Sequence, residues 1–304
     1  MIRPHTLDRA RDAPASGARE QLLSGIPAAE RRLTLADIPT ALLEGGVGPP
    51  MVLLHGPGEF AANWWRVLPA LTARHRVIAP DLPAHGASEG GDDGRLGAER
   101  ILAWLDELIA RTCSTPPVLV GHALGGAIAA RFAAGHPGRV GRLVLVDSLG
   151  LAPFRPSPRF ALSMVHFMMR PNEHSYDRFM RQCSFDLDTL REAMGERWEP
   201  FVAYTLERAR APSASVVGRL IREVGFPAIP VEELAGIDAP TFLVWGRHDR
   251  ANRLAIAEAA SARFGWPLHV IDDSADDPAR DQPEAFIRAL ASIVAGANAA
   301  EAAA

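Results

Sequence analysis

The stretch Val118-Leu-Val-Gly-His-Ala-Leu-Gly-Gly126 decides the fold, because it predicts a buried strand that turns sharply into a helix. Glycines stand two residues before and two residues after Ala123, at Gly121 and Gly125. A sharp strand-to-helix turn needs this spacing, since its central residue is forced toward positive φ and flanking Cβ atoms would clash. The segment therefore predicts a tight turn that presents residue 123 at the carboxyl end of a strand.

Short apolar runs alternate with segments of helical period on both sides of this turn. The runs predicted as strands are Met51–Leu54, Val77–Ala79, Val118–Val120, Leu143–Val146, Thr241–Trp245 and Leu268–Ile271. The segments predicted as helices are Ala61–Ala73, Leu96–Arg111, Leu124–Ala134, Leu254–Phe264 and Pro283–Ala295. Apolar runs without polar alternation suit strands that are covered on both faces. The alternation predicts an α/β fold with a mostly parallel central sheet flanked by helices.

Composition changes along the chain predict its organisation. Residues 32–152 and 231–295 carry the alternating pattern and form the predicted core. Residues 153–230 contain no clear strand and several proline-punctuated helical segments, which predicts an all-helical cap inserted over the carboxyl edge of the sheet. Residues 1–31 are predicted to be a flexible N-terminal arm, and the alanine-rich residues 296–304 a disordered tail.

Composition also excludes several classes of function. The chain has 304 residues, 48% of them hydrophobic, and a net charge of −4, which excludes disorder for most of its length and gives no basic field for nucleic acid. No apolar run reaches the roughly 18 residues that span a bilayer, so no membrane partner is expected. Two distant cysteines, Cys113 and Cys183, and the absence of a secretory leader favour the cytoplasm. Neither a metal-binding spacing nor a nucleotide-binding loop is present, so no metal and no cofactor are expected.

Five motifs in a fixed order make the sequence resemble the α/β-hydrolase family. The resemblance extends over residues 32–295 and includes the turn around Ala123, which is similar to the family's G-x-S-x-G nucleophile elbow. The other motifs are His55-Gly56, Asp81-Leu-Pro-Ala-His-Gly-Ala-Ser88, Gly246-Arg-His-Asp249 and Asp277-Pro-Ala-Arg-Asp-Gln-Pro-Glu-Ala-Phe286.

The chain departs from the family at three positions that carry chemistry. Ala123 stands where the family has Ser, Cys or Asp, and a methyl group cannot attack a carbonyl. Asp276 aligns with the family's catalytic histidine. Pro57 follows His55-Gly56 and has no N–H to donate to an oxyanion, although Gly58 can substitute after a local shift. The N–H of Leu124 remains as the second donor that the resemblance implies.

Asp249 keeps the family's identity as the triad acid, and the resemblance implies that it lies near Asp276. Two neighbouring carboxylates cannot both ionise easily, so the pair would share a proton and could serve as general acid and base. That chemistry suits a lyase, an isomerase, a cyclase or the addition of water. The alternative is that Asp276 is a solvated residue of the acidic run 272–277.

The histidines are candidates for a substitute base, each with a structural alternative. His55 and His122 flank the motifs and are expected to order the loops by hydrogen bonding. His248 neighbours Asp249, and His166 and His174 belong to the predicted cap, from which either could reach the site.

Phe60, Trp64 and Trp65 follow the His55-Gly56 loop and are expected at the mouth of an apolar pocket, with one of the two tryptophans facing the sheet. A small, mostly apolar organic molecule is the expected ligand. Three functions stay open: an atypical acid–base enzyme, a non-catalytic ligand-binding protein, and a hydrolase whose serine has been replaced. A homodimer is also left open.

Overall fold

The structure, a computed structural model, describes residues 17–91 and 96–301; the arm residues 1–16 and the tail residues 302–304 lie outside that part. Its strands form one sheet in the order β1-β2-β4-β3-β5-β6-β7-β8. The strands are β1 (Ala29–Leu35), β2 (Ile38–Gly45), β3 (Pro50–Leu54), β4 (Arg76–Pro80), β5 (Val118–His122), β6 (Arg142–Val146), β7 (Thr241–Gly246) and β8 (Leu268–Ile271).

The pairing of the strands confirms the mostly parallel sheet. Strands β3 to β8 pair in parallel, whereas β2 runs antiparallel to both β1 and β4. All six strands predicted from apolar runs are present. The sequence analysis missed β1 and β2; β1 is a largely exposed edge strand of sequence AERRLTL that offers no apolar run.

Helices cover both faces of the sheet and bury one apolar cluster on each side. They are α1 (Gly17–Leu23), α2 (Leu68–Thr72), α3 (Ala98–Thr112), α4 (Leu124–Gly135), α5 (Pro158–Met169), α6 (Glu173–Cys183), α7 (Leu187–Met194), α8 (Trp198–Arg210), α9 (Ala214–Leu220), α10 (Val231–Ala235), α11 (Leu254–Phe264), α12 (Pro278–Asp281) and α13 (Pro283–Glu301). Within residues 17–91 and 96–301, no helix is both long and apolar enough to cross a membrane.

The segment predicted as a cap is helical, with α5 to α9 and no strand between residues 153 and 230. Its aromatic and methionine side chains form a third apolar cluster that includes Phe60 and Ala251 of the core loops. Backbone hydrogen bonds join Asp276 N–H to the carbonyl of Cys183, and Ser157 N–H to that of Arg250. The cap therefore lies over the loops that follow β3, β7 and β8.

The structure describes part of each end of the chain that the sequence predicts to be flexible, and both parts contain helix. Residues 17–31 contain α1 and the start of β1 instead of a mobile arm, because Arg19 and Leu22 of α1 are buried. The Arg19 guanidinium lies 2.9 Å from the buried carboxylate of Asp81 and 3.1 Å from the hydroxyl of Tyr204 in α8. At the other end, α13 continues to Glu301, where the sequence predicts a disordered tail from residue 296.

Candidate active site

The turn between β5 and α4 has the geometry that its sequence predicts. Ala123 has φ 46° and ψ −106°, and its N–H donates to the carbonyl of Val146. A Cβ on Gly121 would lie 2.4 Å from the carbonyl oxygen of Gly125. Only glycine fits there, so the spacing around Ala123 is a steric requirement. The methyl group of Ala123 is half-buried at the carboxyl end of β5.

Three aspartates converge at this edge of the sheet, one after each of β6, β7 and β8. Asp147 follows β6, and its carboxyl group accepts the N–H of Gly246 at 3.0 Å. Asp249 follows β7, and its Oδ1 accepts the N–H groups of Ala251 at 2.6 Å and Asn252 at 2.9 Å. The structure brings Asp249 into electrostatic contact with Asp276, as the resemblance implies, and adds Asp147, which the sequence analysis missed. The sequence did contain a sign of Asp147, because this aspartate directly follows the predicted strand Leu143–Val146.

Asp147 and Asp249 are both buried and share a hydrogen bond. Carboxylate oxygens only accept, so this contact requires a proton on one of the two groups. Burial, followed by the neighbouring charge of Asp249, raises the pKa of Asp147 well above its usual range. Burial also raises the pKa of Asp249 to about 6, against the lowering by the N–H of Asn252. A neutral Asp147 that donates to Asp249 satisfies both groups.

Asp276 is the half-buried member of the three, whereas Asp272 and Asp273 of the same acidic run are exposed. Burial and the charge of Asp249 raise the pKa of Asp276 well above its usual range. Its Oδ1 accepts no hydrogen bond from any residue in the described ranges. Asp276 Oδ1 is therefore a buried oxygen without a hydrogen-bond partner among the described residues, in the loop that follows β8.

A second group of charges lies beneath the turn and was also missed from the sequence. His122 Nδ1 contacts Glu59 Oε2 at 3.1 Å, and His122 Nε2 donates to the carbonyl of Asp276 at 2.6 Å. Burial disfavours the imidazolium, yet the Glu59 carboxylate outweighs it and raises the pKa of His122 to about 10. Burial likewise opposes the charge of Glu59, but His122 lowers the pKa of Glu59 to about 2. His122 therefore pairs with Glu59 and bonds the loop after β8 through the carbonyl of Asp276.

Ligand-type atoms of Glu59, His122 and Asp277 lie within 4.8 Å of one another, which is the spacing of a metal site. The buried guanidinium of Arg280 lies 3.4 Å from Asp277 and 3.8 Å from Glu59. The cations His122 and Arg280 already neutralise the carboxylates of Glu59 and Asp277, so these residues fit an ion-pair network better than a metal site.

His55 and the aromatic residues have packing roles. His55 Nε2 accepts the N–H of Leu82 at 2.9 Å, and its Nδ1 donates to the carbonyl of Gly56, which orders the loop as expected. Phe60 and Trp64, expected near a pocket mouth, are buried. Phe60 packs on two aromatic rings of α8, while Trp64 is the tryptophan that faces the sheet, beside Phe286. Trp65 lines a cavity of about 380 Å³ at the surface.

The remaining candidates lie outside the cluster of aspartates. Pro57 and Gly58 are exposed at a turn where Gly58 has φ 74°. Leu124 is the first residue of α4, so its N–H has no intrahelical acceptor. His248 packs on the ring of Phe185 at the surface.

Of the two cap histidines, His166 is half-buried and His174 is exposed. No contact among the described residues joins either one to the aspartates.

Comparison with known proteins supports the architecture and the motifs. A family model described as "Alpha/beta hydrolase family" matches residues 51–289. A 2-hydroxymuconate semialdehyde hydrolase of Pseudomonas sp. (strain CF600) is 38% identical over 132 residues, which cover 41% of this chain and about half, 46%, of that protein. A pimeloyl-[acyl-carrier protein] methyl ester esterase of Aeromonas hydrophila is 28% identical over 262 residues, or 82% of this chain and 96% of that protein.

Solved structures agree. A membrane phospholipase A, described as a bacterial virulence factor, has a TM-score of 0.78 and 26% identity, covering 91% of this chain and 89% of that chain. A meta-cleavage product hydrolase of Pseudomonas fluorescens IP01 has a TM-score of 0.74 and 21% identity, covering 88% and 98%, and shares the fold.

Proposed function

The chain belongs to the alpha/beta hydrolase family, and from that premise we propose that it binds a small organic molecule above Ala123 and exchanges protons with it through Asp276 and Asp249. No acyl-enzyme forms at Ala123, because its methyl group is not a nucleophile. The reaction class is acid–base chemistry: a lyase, an isomerase, a cyclase or the addition of water.

The observation that carries the proposal is the unpartnered oxygen of half-buried Asp276 beside a carboxyl group that already shares a proton. Asp147 donates a hydrogen bond to Asp249, which holds the Asp249 carboxylate in place. The negative charge of Asp249 in turn disfavours ionisation of Asp276. A carboxyl group whose pKa is raised above its usual range keeps its proton to a higher pH and is a stronger base once ionised. Asp276 is therefore the group that meets the ligand, and Asp249 tunes it.

A carbonyl group on the ligand fits the remaining donor. Leu124 is the first residue of α4, so its N–H has no acceptor within the helix and lies at the positive end of the helix dipole, where a carbonyl oxygen of the ligand would be stabilised. The relatives named above act, by their names, on a semialdehyde and on a methyl ester. These names favour a carbonyl-containing ligand for this chain as well.

The first experiment tests the absence of acyl transfer. We expect the native chain to leave 4-nitrophenyl butyrate unhydrolysed above background and to resist labelling by a fluorophosphonate. The double variant Ala123→Ser, Asp276→His should accept the label and gain weak esterase activity, limited by Pro57. Robust ester turnover by the native chain would refute the proposed site.

The second experiment tests proton exchange without knowing the substrate beforehand. Molecules that co-purify with the chain are identified by mass spectrometry and incubated with it in D₂O. We expect deuterium incorporation by the native chain, its loss in Asp276→Asn with binding intact, and its retention in the exposed control Asp273→Asn. A molecule that binds but neither exchanges nor changes would favour the alternative, a non-catalytic ligand-binding protein.

A further inference from the structure

One helix of the cap exposes an apolar face that the packing of the fold does not explain. The described residues expose seven large apolar side chains, and four of them belong to α5: Leu162 (66%), Val165 (47%), Met168 (59%) and Met169 (75%). Spacings of three and seven residues place Leu162, Val165 and Met169 along one stripe of the helix. Contiguous exposed apolar surface of this kind marks an interaction site more often than it occurs by chance.

The opposite stripe of α5 is the one that packs on the cap. Phe160 and Ser163 are buried there, and the ring of Phe167 stacks on Phe179 of α6 at 5.7 Å. The outward stripe takes no part in these packing contacts. We call Leu162, Val165, Met168 and Met169 the α5 face.

Arginines are frequent in the part of the sequence that carries the α5 face. The segment 153–183 has five arginines and two acidic residues, although the whole chain carries a net charge of −4. Arg159, Arg170 and Arg178 are exposed, and none of them forms an ion pair with another residue of the described ranges. Such arginines are available to a negatively charged partner.

A cavity of about 540 Å³ opens beside the first turn of α5. It is lined by Ser157, Pro158, Arg159, Arg181, Gln182 and Arg250. Arg250 is fixed, since it donates to the carbonyls of Gln182 at 3.0 Å and Ser184 at 3.1 Å. Arg181 is paired with Asp177 and Asp188, so Arg159 is the guanidinium at this cavity that is left for an anionic group, with Arg250 beside it.

We propose that the α5 face docks on the surface of a membrane that contains anionic phospholipid. The apolar side chains enter the boundary between head groups and acyl chains, while the arginines pair with lipid phosphates, one of them at the cavity. A second copy of the chain is a poorer occupant, because a two-fold contact through this face would bring its arginines together. The proposal goes beyond the proposed function. It also differs from the sequence-based expectation of no membrane partner, which rested only on the absence of a spanning segment.

The test is co-sedimentation of the whole chain with vesicles of phosphatidylcholine alone and with about 30% phosphatidylglycerol, at about 20 mM and about 500 mM salt, between which the Debye length falls from roughly 20 Å to roughly 4 Å. We expect binding to the anionic vesicles that weakens several-fold in high salt, and little binding to phosphatidylcholine. The variant Leu162→Gln, Met169→Gln should bind at least about tenfold more weakly. The double variant Arg159→Gln, Arg178→Gln should bind anionic vesicles about fivefold more weakly for each charge removed. Its binding should also depend less on the salt concentration.

The control is Val47→Gln, which removes a more exposed apolar side chain (84%) far from the cap in sequence and should leave binding unchanged. All these side chains are exposed, so unchanged melting temperatures establish that the variants fold. Absence of binding to anionic vesicles in low salt, or equal binding by the control and the α5 variants, would overturn the proposal. A dimer that Leu162→Gln dissociates would overturn it in favour of a second copy.

Discussion

Ala123 holds a backbone conformation that glycine tolerates better than alanine. Its φ of 46° and ψ of −106° lie outside the regions open to most side chains, and such a residue costs about 1–3 kcal/mol. We therefore expect Ala123→Gly to raise the free energy of unfolding by about 1 kcal/mol, measured by urea denaturation. In the exposed helical position Ala259, the same change should lower it by about 0.5–1 kcal/mol. Equal losses in both variants would show that the turn stores no strain.

Features of the site that depend on neighbouring residues in the sequence were predicted, whereas contacts between residues far apart in the chain were not predicted from the residues alone. The turn at Ala123 was predicted because its requirement for small neighbours is local in the sequence. The contact between Asp249 and Asp276 came from the family resemblance. The pairing of His122 with Glu59 was missed, because it joins residues far apart in the chain and creates two buried charges that only the assembled fold neutralises.

At the scale of single elements, α1 is attached to the core through Arg19. Its guanidinium bridges Asp81, Glu30 and the hydroxyl of Tyr204, and both Arg19 and Asp81 are buried. Removing one member of a buried ion pair leaves an uncompensated charge and costs about 3–5 kcal/mol. We expect Arg19→Ala to lower the free energy of unfolding by that amount in urea denaturation.

The matched control is Arg32→Ala on β1, whose side chain is 62% exposed and should change stability by about 0.5 kcal/mol or less. Similar losses for the two arginines would contradict a role for α1 in holding the fold. The sequence analysis placed Arg19 in a mobile arm because α1 has only seven residues and little apolar character. A helix this short forms through tertiary contacts, which composition does not display.

Over the whole molecule, two groups of titratable side chains change the stability of the fold in opposite directions as the pH changes. The aspartates at the carboxyl edge of the sheet favour protonation, since the pKa of Asp249 is raised to about 6 and those of Asp147 and Asp276 are raised as well. The stability that Asp249 contributes is present in acid and is lost as the pH rises from about 4 through 6. Glu59 acts in the opposite sense, because its pKa is lowered to about 2 and its contribution is lost as the pH falls below about 4.5.

His122 determines the alkaline side of this balance. Its pKa is raised to about 10 by Glu59 against the effect of burial, so its contribution is complete below pH 6.5 and is lost as the pH rises toward 10. We expect the melting temperature of the native chain to fall across that window. In Glu59→Gln, which keeps a hydrogen-bonding group but not the charge, the fall should be much smaller. The exposed control Glu89→Gln should follow the native profile, so an identical slope in all three chains would mean that the imidazolium of His122 does not stabilise the fold.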